Sequence, residues 1–383
     1  MDIKTRLKKT GIVNRILTEK WKKRSRAGLF SPSKAAFLEQ HPEKIKEALR
    51  KRLEEEPDLG EATMKALREA VGRSPLSGKT GAEKESLETD MLFWHYAFGF
   101  TFCEYLGYHF SEIEIPERHG FLSEKDGIQI GYDVNDLREM HVLSDKSETY
   151  QSFRRYYRRE AFTVASEKDL GGYLEFIEKH PRFVAKLTRE ACGRSVRLVE
   201  LSDTKEAAES FFREILSQGK TILEEVVVQS GILAGFNASS VNTVRCITFR
   251  NQNGVTVPFT FLKTGRAGAF IDNGAAGGIL VAVDEKTGVL GQGTDEFGNR
   301  FSEHPDSGLK FEGFRLPDWE EMLRICCEMS EKLPALRLIG WDMAHTEEGW
   351  VLIEGNHLTE MIGPQSTTLK GIRRKMETLC AEC

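Results

Sequence analysis

Three oxygen-bearing side chains fall on one predicted hairpin, RLIGWDMAHTEEGWVLIEGN. Its polar turn at 346–349 joins two apolar strands, and counting outward from the turn places Asp342 nearly opposite Glu354. Because side chains alternate along a strand, Asn356 shares a face with Glu354. Carboxylate and amide oxygens suit Mg²⁺, which needs few protein ligands when nucleotide phosphates and water supply the rest. The same pattern also fits carboxylates that simply face solvent from a strand.

Two basic residues stand in apolar strand-like runs, where a cation normally pairs with an anion. Arg245 lies in SVNTVRCITFR, and Lys186 lies in RFVAKL just before the polar loop TREACGRSV, which contains Gly193. A lysine on a strand, with a loop that closes over phosphates, would neutralise the charge of a transferred phosphoryl group. For Arg245 the alternative is an ion pair with a buried Asp or Glu.

Two further segments have the composition of a ligand-binding edge. ILEEVVVQS places Glu224 and Glu225 at the end of an apolar strand, where backbone groups can meet an adenine edge and a carboxylate can bind ribose hydroxyls. FIDNGAAGGILVAVD contains Asp272 and Asn273 before a glycine pair, and glycines permit close backbone approach to a ligand or a sharp turn. An ordinary apolar strand and an ordinary turn explain the same residues.

The residue pattern divides the chain into a helical part and a mixed part. Residues 1 to about 75 repeat Glu, Lys, Arg and Leu at helical spacing. From about residue 183, short β-branched and aromatic runs alternate with two amphipathic helices. This pattern predicts an α+β fold whose strands carry the candidate site residues.

Composition limits what the chain can be. With 383 residues, 40% hydrophobic and 30% charged, it can form two or three globular domains. A net charge of −5 gives no global attraction for nucleic acid. The longest apolar run, at 91–103, is too short to span a membrane, and we expect it to form one buried helix. Seven scattered cysteines are typical of reduced thiols, so the expected location is the cytoplasm. The locally basic first thirty residues allow weak peripheral contact with a membrane or a partner, or form a plain solvated helical face.

Taken in this order, VNTVR, the DN…GG segment, GWDMA and IEGN resemble the ATP-grasp superfamily, and specifically its sugar-transfer-associated branch, related to alpha-L-glutamate ligases. The resemblance covers roughly residues 150–370. It implies an ATP-grasp fold, in which two α+β subdomains clamp ATP, and it implies that Asp342, Glu354 and Asn356 hold Mg²⁺. The ATP-binding residues that it implies are Lys186, Glu224, Glu225, Arg245, Asn273 and Asp342.

The residue pattern, together with the resemblance, implies an organisation. We expect a helical N-terminal region at 1–110, a segment preceding the ATP-grasp fold at 111–180, a lid subdomain at 181–230 and a central and C-terminal subdomain at 231–383. His304 and Gln365 lie in stretches that also resemble that branch, with no defined role. His304 is equally well an ordinary loop histidine.

The implied activity is ATP- and Mg²⁺-dependent carboxylate–amine ligation through an acyl phosphate, with Arg245 and Lys186 as catalytic residues. Small-molecule or peptide substrates would supply the carboxylate and the amine, for example a sugar, amino acid or peptide in cell-surface or natural-product biosynthesis. No nucleic-acid partner is expected. A phosphotransferase on the same fold and a non-catalytic nucleotide-binding scaffold stay open as alternatives.

Overall fold

A computed structural model describes residues 11–190, 195–201, 204–266, 268–270, 272, 274 and 277–382. The secondary structure combines an N-terminal helical region with two antiparallel sheets, which is an α+β arrangement. In this described part of the chain, no helix is both long and apolar enough to cross a membrane.

The N-terminal region is built from helices, as its charge and leucine spacing predicts. They are α1 (Gly11–Ser25), α2 (Pro32–Gln40), α3 (Ile45–Glu55), α4 (Pro57–Gly72), α5 (Gly81–Phe98) and α6 (Phe102–Gly107). The apolar stretch 91–103 is largely buried but is not one helix. Gly99 adopts a φ of 80° and ends α5, and Thr101 then starts α6 through a capping box with Glu104. The buried aromatic rings around Trp94 form the core of this region.

Four more helices connect this region to the first sheet: α7 (Ile115–Arg118), α8 (Glu124–Val134), α9 (Leu137–Ser144) and α10 (Lys146–Tyr157). The first sheet contains β1 (Ala161–Val164), β2 (Arg182–Leu187), β3 (Arg197–Glu200) and β4 (Thr221–Glu225), in the order β1-β4-β2-β3. Helices α11 (Leu170–Lys179) and α12 (Lys205–Gln218) bury their apolar stripes against this sheet, where Tyr173 and Phe212 meet.

The second sheet is larger and carries most of the core. Its strands are β5 (Thr243–Asn251), β6 (Gly254–Thr264), β7 (Ile279–Val283), β8 (Leu290–Thr294), β9 (Arg300–Phe301), β10 (Leu338–Thr346) and β11 (Gly349–Asn356), in the order β11-β10-β5-β6-β7-β8-β9. A short helix, α13 (Gly231–Ala234), precedes it. Helix α14 (Trp319–Glu331) packs on β5, β6 and β10, and α15 (Ile362–Thr368) packs on β6 to β8. Helix α16 (Arg373–Ala381) follows and contacts β5.

Gln365 joins the N-terminal region to the second sheet. It is fully buried on α15, and its Oε1 accepts a hydrogen bond from the backbone N–H of Leu122 at 2.8 Å. Its Nε2 donates to the Tyr108 hydroxyl and to the carbonyl oxygens of Leu122 and Met361, at 2.8–2.9 Å. Gln365 therefore acts here as a packing and hydrogen-bonding residue between two parts of the fold.

The predicted domain boundaries stay predictions. One observation bears on the boundary at 181: the four-stranded sheet takes its first strand, β1, from the stretch predicted to precede the ATP-grasp fold. The outer strand of that sheet therefore begins about twenty residues before the predicted lid subdomain does.

Candidate functional site

A cavity of about 490 Å³ lies between the two sheets, within the size range of small-molecule sites. Its aliphatic wall comes from β2, β3 and the chain that follows β4, and its charged groups come from both sheets. Four lining cations are central to its chemistry: Lys146, Arg159, Lys186 and Lys263. They are arranged around three carboxylates, which are those of Glu224, Asp342 and Glu354.

Asp342 is the centre of the site on the seven-stranded sheet. It lies opposite Glu354 of β11 and opposite Arg245 of β5, so the predicted pairing with Glu354 is confirmed. Arg245 donates from Nε to Oδ1 at 2.5 Å and from Nη2 to Oδ2 at 2.9 Å. The ammonium of Lys263, on β6, lies 3.2 Å from Oδ1. A bidentate guanidinium and an ammonium therefore share one buried carboxylate.

The electrostatics of this cluster keep all three groups charged. Burial by itself raises the pKa of Asp342, but Arg245 and Lys263 outweigh it and hold that pKa at about 2. Burial lowers the pKa of Lys263, yet Asp342 and then Asp272 leave that pKa above its usual value. Arg245 and Lys263 therefore supply two charged donors of the kind that bind a phosphate group.

Arg245 occupies space that a glycine leaves on the neighbouring strand. A Cβ added at Gly340 would lie 3.0 Å from Cδ of Arg245 and 2.3 Å from Oγ1 of Thr359. Thr359 Oγ1 accepts a hydrogen bond from Nη1 of Arg245 at 3.3 Å, and the Glu360 carboxylate lies 3.7 Å from the same nitrogen. Gly340 and Thr359 thus determine where the guanidinium lies.

The three predicted Mg²⁺ ligands are adjacent to one another. Asn356 Nδ2 lies 3.4 Å from Asp342 Oδ2, and Glu354 Oε1 lies 3.2 Å from Nζ of Lys146. Among the residues that the structure describes, no group of three or more His, Cys, Asp or Glu side chains forms a metal site by itself. Two carboxylates and one amide do match the partial set that Mg²⁺ takes from a protein when nucleotide phosphates complete its coordination. The residues present therefore fit a nucleotide-bound Mg²⁺.

Glu224, on the four-stranded sheet, pairs with two cations of the cavity, Lys186 and Arg159. Lys186 of β2 donates to Glu224 Oε1 at 2.9 Å, and Arg159 donates to Oε2 from Nε at 3.0 Å and from Nη2 at 2.5 Å. Arg159 also donates to the Leu352 carbonyl oxygen of β11 at 2.7 Å, which links the two sheets. Burial raises the pKa of Glu224, but Lys186 and Arg159 more than compensate and set it at about 2.

The chain after β4 forms the apolar end of the cavity. The Glu225 carboxylate accepts a hydrogen bond from the Glu160 backbone N–H at 3.1 Å, and residues 226–229 line the wall. Gln229 fixes this segment by donating to the carbonyl oxygens of Asn237 and Ser240. Glu225 thus lies at the apolar end of the cavity, whereas Glu224 faces cations. The adenine contact of this segment stays a prediction.

The predicted contribution of the glycine-rich segment is described only in part. Asn273 and Gly193 lie outside the described residues. Asp272 is buried, lines the cavity, and accepts hydrogen bonds from the Thr243 backbone N–H at 3.1 Å and the Thr243 hydroxyl at 2.6 Å. Burial raises the pKa of Asp272 above its usual value. This places the start of the segment beside Asp342 and Lys263, as a third carboxyl group in the same cluster.

Comparison with known families identifies the fold that this geometry belongs to. A family model described as sugar-transfer associated ATP-grasp matches residues 132–381, well over half of the chain. The chain belongs to the sugar-transfer associated ATP-grasp family. It is therefore an ATP-binding protein of the ATP-grasp type, with ATP and Mg²⁺ as its cofactors. A search of curated protein sequences finds no match.

Solved structures resemble this ATP-grasp protein only distantly. The ATP-grasp ligase PsnB complexed with minimal precursor has 13% identity and a TM-score of 0.41, over 65% of this chain and 64% of its own. The D-alanine–D-alanine ligase from Bacillus anthracis has 14% identity and a TM-score of 0.40, over 65% and 69%. An N5-carboxyaminoimidazole synthetase from Staphylococcus aureus, complexed with ADP, has 9% identity and a TM-score of 0.41, over 61% and 50%. The match thus spans less than two thirds of the PsnB chain, and the family assignment rests on the family model.

Sequence reasoning missed three cations of the ATP-grasp site. Lys263 stands in the apolar run VTVPFTFLKTG, so the argument that selected Arg245 applies to it equally. Lys146 and Arg159 lie in helical or irregular chain, where many other basic residues have the same local pattern. Only the tertiary fold brings these two to the cavity.

His304 is an ordinary loop histidine with a structural role. It is fully buried in the ATP-grasp protein, its Nε2 lies 2.9 Å from the Gly265 carbonyl oxygen, and its Nδ1 accepts a hydrogen bond from the Asp306 backbone N–H at 3.2 Å. It does not line the cavity. His304 therefore anchors the start of the loop that leads into the glycine-rich segment.

Proposed function

We propose that this protein is an ATP- and Mg²⁺-dependent carboxylate–amine ligase that acts through an acyl phosphate. The observation that carries the proposal is the cluster around Asp342. Asp342, Lys263 and Glu354 line the cavity, and Arg245 and Asn356 contact Asp342. Such a cluster stabilises charge on a transferred phosphoryl group and requires no protein nucleophile.

When bound, Mg²⁺–ATP supplies a γ-phosphoryl group that a substrate carboxylate accepts; an amine then displaces phosphate from the acyl carbon. In this proposal Asp342, Glu354 and Asn356 hold the metal ion. Arg245, with Lys263 beside it, neutralises the equatorial oxygens of the phosphoryl group and later those of the departing phosphate.

The remaining cavity residues would position the nucleotide. Lys186 and Lys146 both line the cavity, and in this proposal their ammonium groups contact phosphate oxygens, Lys186 while it stays paired with Glu224. Glu225 and residues 226–229 would meet the ribose and adenine, and Asn273 would contribute from the glycine-rich segment. The carboxylate and the amine are proposed to come from sugars, amino acids or peptides.

Trapping with hydroxylamine tests this proposal directly. Purified protein is incubated with Mg²⁺, ATP, hydroxylamine and pools of amino acids, uronic acids or small peptides, and ADP and hydroxamate are measured. We expect ADP and hydroxamate together from at least one pool, because hydroxylamine captures an acyl phosphate. Both products should disappear in Glu354→Ala and persist in Glu348→Ala, which removes an exposed carboxylate from the turn of the same hairpin.

Other product patterns would overturn the proposal. ADP with a phosphorylated product and no hydroxamate would identify a phosphotransferase. If no pool gives turnover, calorimetry with Mg²⁺ and a non-hydrolysable ATP analogue measures binding alone. Binding that is the same with and without Glu354 would exclude the assigned metal site.

A further inference from the structure

One side of helix α1 is fixed to the body of the protein. Thr18 is buried, the ring of Trp21 lies 5.5 Å from that of Tyr132, and Lys22 pairs with Asp133 at 3.2 Å. These three α1 residues recur three or four positions apart, so they form one face of the helix. Helix α1 therefore lies along α8 with this face inward.

The opposite side of α1 is exposed and cationic. Ile16, Lys20 and Lys23 follow one another at four- and three-residue spacing, which places them on a single stripe along the exposed side of α1. Ile16 is 59% exposed, and Lys20, Lys23 and Arg24 are also exposed. Among the described residues, Lys20, Lys23 and Arg24 form no ion pair and no side-chain hydrogen bond. This stripe, Ile16, Lys20 and Lys23 with Arg24 beside it, is the outer face of α1.

The charge of the chain is strongly asymmetric along the sequence. The first 30 residues contain ten Lys or Arg and two Asp or Glu, so their formal charge is +8. The whole chain carries −5, which leaves −13 on the other 353 residues. A basic end on an otherwise acidic protein orients the molecule toward an anionic surface and keeps the rest of the molecule away from it.

We propose that the outer face of α1 docks the protein on an anionic lipid bilayer. A polybasic segment gains favourable energy with each Lys or Arg near a negatively charged leaflet, and the attraction fades within a Debye length. An exposed aliphatic side chain on the same stripe as the lysines is what an interfacial helix buries at the level of the headgroups. The docking would be peripheral and reversible, since one helix supplies it.

Two features favour a bilayer over a nucleic acid. Nucleic-acid sites extend their basic surface along several phosphates and usually add polar or aromatic contacts. Here the cations of the outer face lie on one helix, with an isoleucine among them, and the remainder of the chain is net acidic. This inference does not depend on the proposed ligase activity, because α1 contributes no residue to the cavity.

Vesicle flotation with the full chain tests the proposal. Vesicles of phosphatidylcholine alone are compared with vesicles that also contain phosphatidylserine. We expect binding to the anionic vesicles only, reversed by high salt, and weakened about fivefold for each basic residue removed. The triple variant Lys20→Glu, Lys23→Glu, Arg24→Glu should therefore bind at least about a hundredfold more weakly.

A matched control separates the outer face of α1 from net charge. Lys65→Glu, Arg68→Glu, Lys84→Glu changes net charge by the same amount at exposed positions of α4 and α5, and it should leave vesicle binding within about twofold. Ile16→Ser should weaken binding by about threefold or more without changing charge. Circular dichroism and nucleotide binding confirm that each variant is folded.

Several results would overturn the proposal. Equal binding to neutral and anionic vesicles, no binding to either, or equal losses in the two triple variants would each exclude docking by the outer face of α1. Fluorescence anisotropy with single- and double-stranded oligonucleotides is measured in parallel. Oligonucleotide binding that is tighter than vesicle binding and is lost in the α1 variant would assign this face to nucleic acid instead.

Discussion

Glu224 and Asp342 are two buried carboxylates, one on each sheet, and each has two cationic partners. Glu224 pairs with Lys186 and Arg159, and Asp342 pairs with Arg245 and Lys263. Their cations hold the pKa of both at about 2 despite burial. By charge and burial alone the two sites are nearly equivalent.

Their surroundings make them different. One cation of Glu224, Arg159, also binds the Leu352 carbonyl oxygen of the other sheet, so this cluster ties the two sheets together. Asp342 has Asn356 next to it and Glu354 opposite it, which gives a metal ion further ligands at that edge. We infer that the Glu224 cluster is a permanent clamp, whereas the Asp342 cluster exchanges its protein cations for Mg²⁺ when phosphates arrive.

The largest expected effect comes from removing the exchangeable carboxylate. Asp342→Asn should lower the rate of ATP turnover about 10³-fold or more, because it removes a proposed metal ligand and the counter-ion of Arg245 and Lys263. Steady-state ADP release measures this. Glu224→Gln, assayed in parallel, should lose much less activity per folded molecule. Equal losses of ATP turnover in the two variants would contradict the inference that the Glu224 cluster and the Asp342 cluster have different roles.

The clamp should instead appear in stability. Glu224→Gln leaves Lys186 and Arg159 without their buried anion, and breaking such a pair costs about 3–5 kcal/mol. Urea unfolding, followed by circular dichroism, measures the loss. Glu225→Gln provides the neighbouring control; it weakens one hydrogen bond to a backbone N–H and should cost about 1 kcal/mol.

The same clamp gives a defined acid sensitivity. The folded-state pKa of Glu224, about 2, is below the ordinary value of 4.5. Its contribution is therefore complete above pH 4.5 and is lost as pH falls toward 2, for a total of about 3 kcal/mol. Unfolding free energies measured across this range should fall less steeply in Glu224→Gln than in the unmodified protein. Parallel curves would show that Glu224 is not held ionised.

Divalent-ion binding without nucleotide sharpens the comparison further. In the nucleotide-free protein, Mn²⁺ must compete with Arg245 and Lys263 for Asp342. Arg245→Met removes one competitor and should raise Mn²⁺ affinity about tenfold, as measured by electron paramagnetic resonance. Arg159→Met removes a cation from the clamp and should leave Mn²⁺ affinity unchanged. A gain in both variants, or in neither, would contradict cation exchange at Asp342.

The smallest effect concerns the position of Arg245. Thr359→Val removes the hydroxyl that accepts from Nη1, so kcat should fall about tenfold with little change in the KM for ATP. Thr359→Ser keeps the acceptor and should restore most of the rate. Failure of serine to rescue would mean that Thr359 acts through packing and not through its hydrogen bond to Arg245.

The sequence predicts those contacts of the site that join residues close together in the chain, but not those that join distant strands. The pairing of Asp342 with Glu354 follows from strand alternation and one turn, so it could be predicted and is confirmed by the register. Arg245 and Lys186 could be singled out as cations in apolar strands, although their proposed catalytic roles stay predictions. The choice of Glu224 as partner of Lys186 is a cross-strand contact between strands far apart in the chain, which local spacing does not reveal.

Parts of the fold show the same limit. The α+β class, the helical N-terminal region and the hairpin of β10 and β11 follow from periodicity, and the structure has all three. The stretch 91–103 reads as one apolar helix, but Gly99 divides it because a left-handed residue ends a helix. Lys146 and Arg159 reach the cavity only through tertiary packing, because α10 begins beside the end of β2, where the Lys146 N–H donates to the Thr188 carbonyl oxygen, and ends just before β1.

The hydrogen bonds of Gln365 determine how far the N-terminal region can be truncated without loss of stability. The family match starts at residue 132, so it omits Tyr108 and Leu122, which supply the partners of that buried amide. A fragment trimmed to the matched span would leave the amide without these partners and uncover the apolar surface beneath them. The stretch that matches the family model is thus shorter than the stretch that folds as one unit. Expression of the matched span alone is expected to give an unstable product.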